Sequence, residues 1–312
     1  MLRQSRTPPG EADMARAFHQ ILDDYEQYLR VEKNLSERTR RAYLYDLKRF
    51  HDRLAGPNGR TPAVARIDAA AIREYLNHLQ LERAYKSATL ARTIASIRLF
   101  FEFCVLREDL AASPAARIHN PKHAKKLPIY LVKHELARLL AAPDRSDPAG
   151  ARDAAILTML AFTGCRLSEL VGLNVGDLSL EQKSMRVLGK GAKERIVPLN
   201  QVVLNAIDEY LNVRQIVETN ALFLNRRGGR LSGRSVENVV RKHVLAAGVF
   251  KDRISPHKLR HTFATLLHAS DVDILEIQSL LGHASITSTQ IYTHTSNSRL
   301  RAAVNKLEGL DG

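Results

Sequence analysis

The chain has 312 residues, a length that suggests two domains, and its 47 Lys and Arg against 33 Asp and Glu leave a net charge of +14. That imbalance calls for a polyanionic partner, either nucleic acid or an anionic membrane surface. No apolar run approaches the roughly 18 residues of a spanning helix, and there is no Trp with which to build an amphipathic anchor, which argues against an integral membrane protein. Met1 to Asp13 has scattered Arg and a Pro-Pro-Gly but no apolar h-region, so residues 1–12 read as a short disordered tail and not as a signal peptide. Cys104 and Cys165 are isolated from each other and read as buried, reduced thiols of a cytosolic protein.

A helical stripe of Phe18, Ile21, Leu22, Tyr25 and Leu29 opens a first domain at 13–108. Ser36 is suited to cap a second helix carrying Tyr43, Leu47, Phe50 and Leu54, which Gly56-Pro57-Asn58-Gly59 ends. Asp68 is suited to cap a third with Ile72, Tyr75, Leu76 and Leu79, and Ser87 a fourth with Leu90, Ile94, Ile97, Phe101 and Cys104. No strand pattern interrupts them, so the domain is expected to be all-α. Basic residues gather on two of these helices: Arg38, Arg40, Arg41, Lys48 and Arg49 on the second, and Lys86, Arg92 and Arg98 around the fourth. Singly, each is a solvated charge as readily as a ligand. As a cluster on a basic chain they read as a phosphate-tracking surface, with Arg40, Arg41, Lys86 and Arg92 as candidate nucleic-acid contacts.

Residues 109–127 are polar, basic and punctuated by Ser113-Pro114, Asn120-Pro121 and Leu127-Pro128, the composition of an interdomain linker. A basic linker between basic domains suggests a clamp around a duplex. A second domain, 128–312, is expected to carry helices at 133–141, 152–162, directly after Arg166, and then at 200–216, 233–246, 256–269, 273–281, 285–292 and 298–307. Between them Met185 to Leu188 and Arg195 to Leu199 read as strands around Gly189-Lys190-Gly191, and Ala221 to Leu224 as a third strand ahead of Gly228-Gly229. The expected fold class is mainly α with a small antiparallel β-sheet, in two domains.

The chemistry-bearing residues of this second half are Arg166, Lys190, His257, Arg260, His283 and Tyr292. Thr163-Gly164-Cys165-Arg166 joins two helices, where the plain alternative for Arg166 is an ion pair with Glu169 three residues on. Lys190 sits between glycines that let backbone approach a ligand, or else at an ordinary hairpin tip; the spacing is not that of a P-loop. Ser255-Pro256 has the form of an N-cap and first helical residue, which sets His257 and Arg260 on one face at the positive end of a helix, where an anion is favoured. His257 and His261 have the i, i+4 spacing of zinc ligands, but no Glu follows the first and Lys258 and Arg260 repel a dication, so no metal is expected. Leu280-Leu281-Gly282-His283 ends a helix at a glycine cap, and Tyr292 follows nine residues after His283. A phenol can act as a nucleophile that leaves a covalent intermediate, and a crowd of cations is what a phosphate in transit needs.

The order Arg166, Lys190, His257-x-x-Arg260, His283, Tyr292 resembles the tyrosine recombinases of the phage-integrase family, and within it the Xer-type chromosome-dimer resolvases. The likeness is carried by TGCRLSEL, GKGAKER, SPHKLRHTFAT, LLGHASITSTQIYTH and, in the first half, YLRVEKNLSERTRRAYLYDLKRF, and it covers about residues 18 to 307. The resemblance implies strand exchange without metal, ATP or any other cofactor. Tyr292 would be the nucleophile forming a 3′-phosphotyrosyl bond, Arg166 and Arg260 the forks on the non-bridging oxygens, and His283 a further donor. Lys190 would be the acid for the leaving 5′-oxygen, and His257 the acid/base on the tyrosine side. It also implies double-stranded DNA with a pseudo-palindromic core site, a homo- or hetero-tetramer of protomers with the C-terminal helix (Arg299 to Leu307) docked on a neighbour, and a paralogous recombinase or a DNA translocase as further partner, in the cytoplasm at the nucleoid. The end Lys306-Leu307-Glu308-Gly309 departs from the His-Pro-Arg-containing tail frequent among Xer proteins, which bears on partner contacts and not on chemistry. The N-terminal tail is short, so no arm-binding domain of the kind large phage integrases carry is expected. Rival readings are a mobile-element integrase of the same chemistry, a type IB topoisomerase that relaxes supercoils without a target site, and a DNA-binding regulator with a decayed site. The last would lack one of the six residues, and none is lacking.

Overall fold

The structure, a computed structural model, describes residues 18–55, 62–120, 129–189, 194–251, 253–282 and 297–307. The tail expected at 1–12, the helix expected at 285–292, and Lys190, His283 and Tyr292 lie outside the described residues. Contacts divide the chain into two units, Met1–Lys126 and Leu127–Gly312.

The first unit holds α1 (Phe18–Val31), α2 (Glu37–Leu54), α3 (Ala69–Leu81) and α4 (Ser87–Leu106). Two of the expected caps form: the Ser36 side chain accepts from the Thr39 N–H and Asp68 from the Ala71 N–H. The third does not. Lys86 holds the cap position of α4 without a side-chain bond, and Ser87 is already helical. Aromatic rings fill the centre, with Tyr25 edge-on to Phe100 at 5.4 Å between centroids and Phe50, Phe101 and Phe103 buried around them. Leu110, Ala115 and Ile118, in the stretch with linker composition, belong to this same core.

The second unit is built around α6 (Pro148–Thr163), which is apolar apart from Arg152, Asp153 and a few hydroxyls and is buried along nearly its whole length. It packs on α5 (Lys133–Ala141), α8 (Gln201–Val213), α9 (Gly233–Ala246) and α10 (Pro256–Ala269). Helix α6 starts four residues before the expected 152 because Asp147 caps the Gly150 N–H and Pro148 takes the first turn. A small antiparallel sheet, in the order β1 (Leu178–Ser179), β2 (Ser184–Leu188), β3 (Glu194–Pro198), pairs Met185 with Val197 and Val187 with Arg195. The third strand is therefore Leu178–Ser179 and not Ala221–Leu224. That apolar run is buried and, among the described residues, pairs only through single bridges, Asn174 to Ala221 and Leu224 to Arg230. The turn that leads from β1 into β2 brings those two strands together locally, ahead of any distant segment. Helices α7 (Leu167–Gly172) and α11 (Ile274–Leu281) complete the site's frame. Helix α12 (Asn297–Asn305), expected to face a neighbour, lays Leu300, Ala303 and Val304 into the core of its own unit, with Leu307 behind them.

Candidate active site

Three chain segments meet at one point of the second unit, and each arrives there for a local reason. Helix α6 ends on Gly164 in the left-handed conformation, φ +58°, where a Cβ would stand 2.4 Å from the Phe263 ring; only glycine fits. The chain turns at once into α7, with Arg166 at the N-cap. Helix α10 starts as expected: Ser255 Oγ accepts from the Lys258 N–H and Pro256 fills the first helical position, which places Arg260 one turn in. Helix α11 ends on Gly282, also left-handed at φ +62°.

The two arginines converge on that last glycine turn. Arg166 Nη2 donates to the Gly282 carbonyl at 2.9 Å, and Arg260 Nη2 donates to the Leu281 carbonyl at 2.7 Å. Arg260 Nη1 donates to the Gly164 carbonyl at 2.6 Å, which ties the ends of α6 and α11 together through one side chain. Arg166 is therefore held to the residue directly before His283, and Arg260 to the residue before that.

Glu169 supplies the negative charge at the same point. Its Oε2 accepts from the Arg166 backbone N–H and its Oε1 from Arg166 Nη1, both at 2.8 Å. The ion pair that is the plain alternative for Arg166 exists, and it does not compete with a ligand role: it fixes the guanidinium while leaving N–H donors over. Arg195, from β3, grips both oxygens of Glu169 at 2.7 and 2.8 Å. Burial pushes the Glu169 carboxyl upward, but the Arg195 and Arg166 hydrogen bonds outweigh it and hold the group at about 2. Arg260 is buried; desolvation first, and then the charge of Arg166, lower it to about 10, so it remains a cation at neutral pH. Three guanidinium groups against one carboxylate leave a partly buried excess of positive charge among the described residues, and an anion relieves it.

His257 stands exposed on α10, three residues before Arg260, and makes no hydrogen bond among the described residues. Cys165 is fully buried, and burial lifts its thiol to about 11, so it is an inert neighbour of Arg166. Lys190 belongs to the connection between β2 and β3, and His283 and Tyr292 follow Gly282; all three lie outside the described residues. Arg195 is the residue whose part was not foreseen. It sits inside GKGAKER, and its bond to Glu169, 26 residues away, leaves no local spacing signal in the sequence.

Among the basic candidates of the first unit, Lys86 is exposed at the start of α4, and Arg41 is exposed and pairs with Glu37 at 2.5 Å. Arg40 is half-buried, with a buried Nε that has no partner among the described residues. Arg92 has a structural bond as well: its Nε and Nη2 fork onto the buried Asp46 at 2.9 and 2.8 Å, joining α2 to α4. Arg49, on the same helix as Arg40, lies over the rings of Tyr45 and Tyr85.

Residues 130–299 match the phage integrase family, and residues 22–108 match the N-terminal SAM-like domain of phage integrases. The chain is 38% identical over 298 residues to tyrosine recombinase XerC of Pelotomaculum thermopropionicum, covering 91% of this chain and 96% of that one. It is equally 38% identical over 286 residues to tyrosine recombinase XerD of Staphylococcus epidermidis, covering 90% and 96%. Among solved structures, the XerH site-specific recombinase bound to difH substrate in a pre-cleavage complex superposes with a TM-score of 0.66 at 26% identity, over 92% of this chain and 83% of that one. With its two helical units, its small sheet and its paired arginines, the chain belongs to the phage integrase family and is a site-specific tyrosine recombinase of the Xer type.

Proposed function

We propose that Arg166, Lys190, His257, Arg260, His283 and Tyr292 form one phosphoryl-transfer site and that the chain uses it to resolve chromosome or plasmid dimers. The observation that carries this reading is the convergence of Arg166 and Arg260 on the carbonyls of Gly282 and Leu281. Both clamps are thereby anchored beside the segment that brings His283 and Tyr292. Arg166 and Arg260 hold the non-bridging oxygens with the N–H groups they have left. The Tyr292 oxygen attacks phosphorus, the bond to the 5′-oxygen breaks, and Lys190 supplies the proton that the 5′-oxygen takes up. His257 takes the phenol proton, and His283 adds a donor to the phosphate. The 5′-hydroxyl of a second duplex then reverses the step, so the bond energy is conserved in the phosphotyrosine and no cofactor is required.

The substrate is duplex DNA with a pseudo-palindromic core, held by four protomers in the cytoplasm at the nucleoid. The XerH complex with its difH substrate supports a specific DNA site as substrate. Equal identity to XerC and XerD relatives supports a homo- or hetero-tetramer whose further partner is a paralogous recombinase or a DNA translocase. The test is a nicked suicide substrate bearing the host's candidate resolution site. The native chain should form a covalent adduct, undiminished by EDTA, and Tyr292→Phe should bind the same DNA without forming one. An adduct with Tyr292→Phe, or cleavage that EDTA abolishes, would sink the assignment.

A further inference from the structure

Glu169 has more donors than its place beside Arg166 requires. Its side chain is 1% exposed, and Arg195 takes both of its oxygens as a fork while Arg166 reaches it with one side-chain N–H. A lone arginine beside a lone carboxylate settles into that bidentate fork itself. Here the fork is filled from another element. Among the described residues Arg166 commits one guanidinium N–H to Glu169 and one to Gly282, and three of its five donors are left over.

Arg195 is held for this task. It lies on β3 opposite Val187, whose side chain is buried, and among the described residues its head group bonds to Glu169 alone. The space is close: a Cβ at Gly282 would stand 3.0 Å from Arg195 Cδ, Nε and Cζ. The same glycine that passes Arg166 its carbonyl thus also makes room for Arg195.

We propose that Arg195 is a positioning residue for DNA cleavage: by filling the Glu169 fork it keeps the Arg166 guanidinium free for the scissile phosphate and balances the charge Glu169 brings into the site. This rests on the reading of Arg166 as a phosphate ligand, and the experiment separates the two. A methylphosphonate at the scissile position replaces one charged non-bridging oxygen with a methyl group, which removes the need for a cationic clamp on that oxygen. Strand cleavage by the full chain is timed on phosphodiester and methylphosphonate suicide substrates.

On the phosphodiester, Arg166→Ala should slow cleavage by about a hundredfold to a thousandfold, and Arg195→Gln by roughly tenfold to a hundredfold. On the methylphosphonate both should approach the wild-type rate on that substrate, while DNA affinity stays unchanged. Arg195→Lys keeps the charge without the fork and should fall between Arg195→Gln and wild type. Arg195→Gln cleaving the phosphodiester at the wild-type rate would overturn the proposal, and so would an equal defect on both substrates, the mark of a merely structural role. If Arg195→Gln does not fold, Arg195→Lys is judged by the same two criteria. Failure of Arg166→Ala to recover on the methylphosphonate would instead remove the phosphate role of Arg166, and this proposal with it.

Discussion

Glu169 is a buried carboxylate at a point where the ligand to be bound is itself an anion, so its charge has to be matched before any phosphate arrives. Arg195 and Arg166 do this, and the carboxyl is held at about 2 against an ordinary 4.5. A carboxylate depressed in the folded state stabilises the fold fully above its unfolded value, and that contribution is lost as pH falls from about 4.5 through about 2. The depression corresponds to roughly 3 kcal/mol at neutral pH. Glu169→Gln should therefore unfold at lower urea than wild type at pH 7, and the gap should shrink steadily between pH 4.5 and pH 2. Unfolding free energy measured across that window checks it; a gap that stays constant with pH would assign the cost to lost packing and not to the ionised carboxylate. The same residue shows what a sequence can reveal. The Arg166–Glu169 pair is legible because three residues separate its members on one helix turn. The Arg195 fork and the Gly164, Leu281 and Gly282 carbonyls are not, since they depend on elements 21 to 116 residues apart being folded together.

Elements whose ends are set by neighbouring residues were readable, and those set by distant partners were not. Ser36, Asp68 and Ser255 cap their helices because cap and acceptor lie within one turn, and the expected bounds 133–141, 233–246 and 256–269 are those of α5, α9 and α10. Asp147-Pro148 has the same form as Ser255-Pro256 and starts α6 by the same local contacts. The third strand failed because a short apolar run looks alike whether it pairs in a sheet or fills a core. Helix α12 turns on the same limit: Leu300, Val304 and Leu307 give an apolar stripe, but a stripe does not say which surface it covers. The stripe is buried in its own unit, with Arg301 Nη2 donating to the Gln182 carbonyl and Lys306 Nζ to the Ser270 carbonyl. Leu307→Ala should cost about 2–5 kcal/mol. The melting temperature of both proteins should be independent of protein concentration, because a helix docked on its own chain adds no association step. Melting curves over a hundredfold range of concentration decide the matter; a melting temperature that climbs with concentration would place the helix on a neighbour.

At the scale of the whole chain the excess of 14 positive charges must be read against where each charge is already engaged. Each Lys or Arg that neutralises a phosphate releases a counterion, so log K for DNA falls with log[salt] by about 0.9 per contact. Lys86 is exposed and has no ion pair among the described residues, and is a pure charge of this sort. Arg92 is different. Its fork on Asp46 means that its removal also leaves a buried carboxylate unmatched between α2 and α4, at a cost on the order of 1–3 kcal/mol in folding. Lys86→Ala should accordingly lower the salt slope by about 1 and weaken binding to all duplexes alike, with no change in melting temperature. Arg92→Ala should lower both the slope and the melting temperature, and Arg92→Ala with Asp46→Asn should regain stability without regaining the slope. Fluorescence anisotropy against NaCl, paired with thermal melts, measures both quantities. If neither single variant changes the slope, the α2–α4 face is not on the DNA path, and the charge that holds the duplex has to be sought on the second unit.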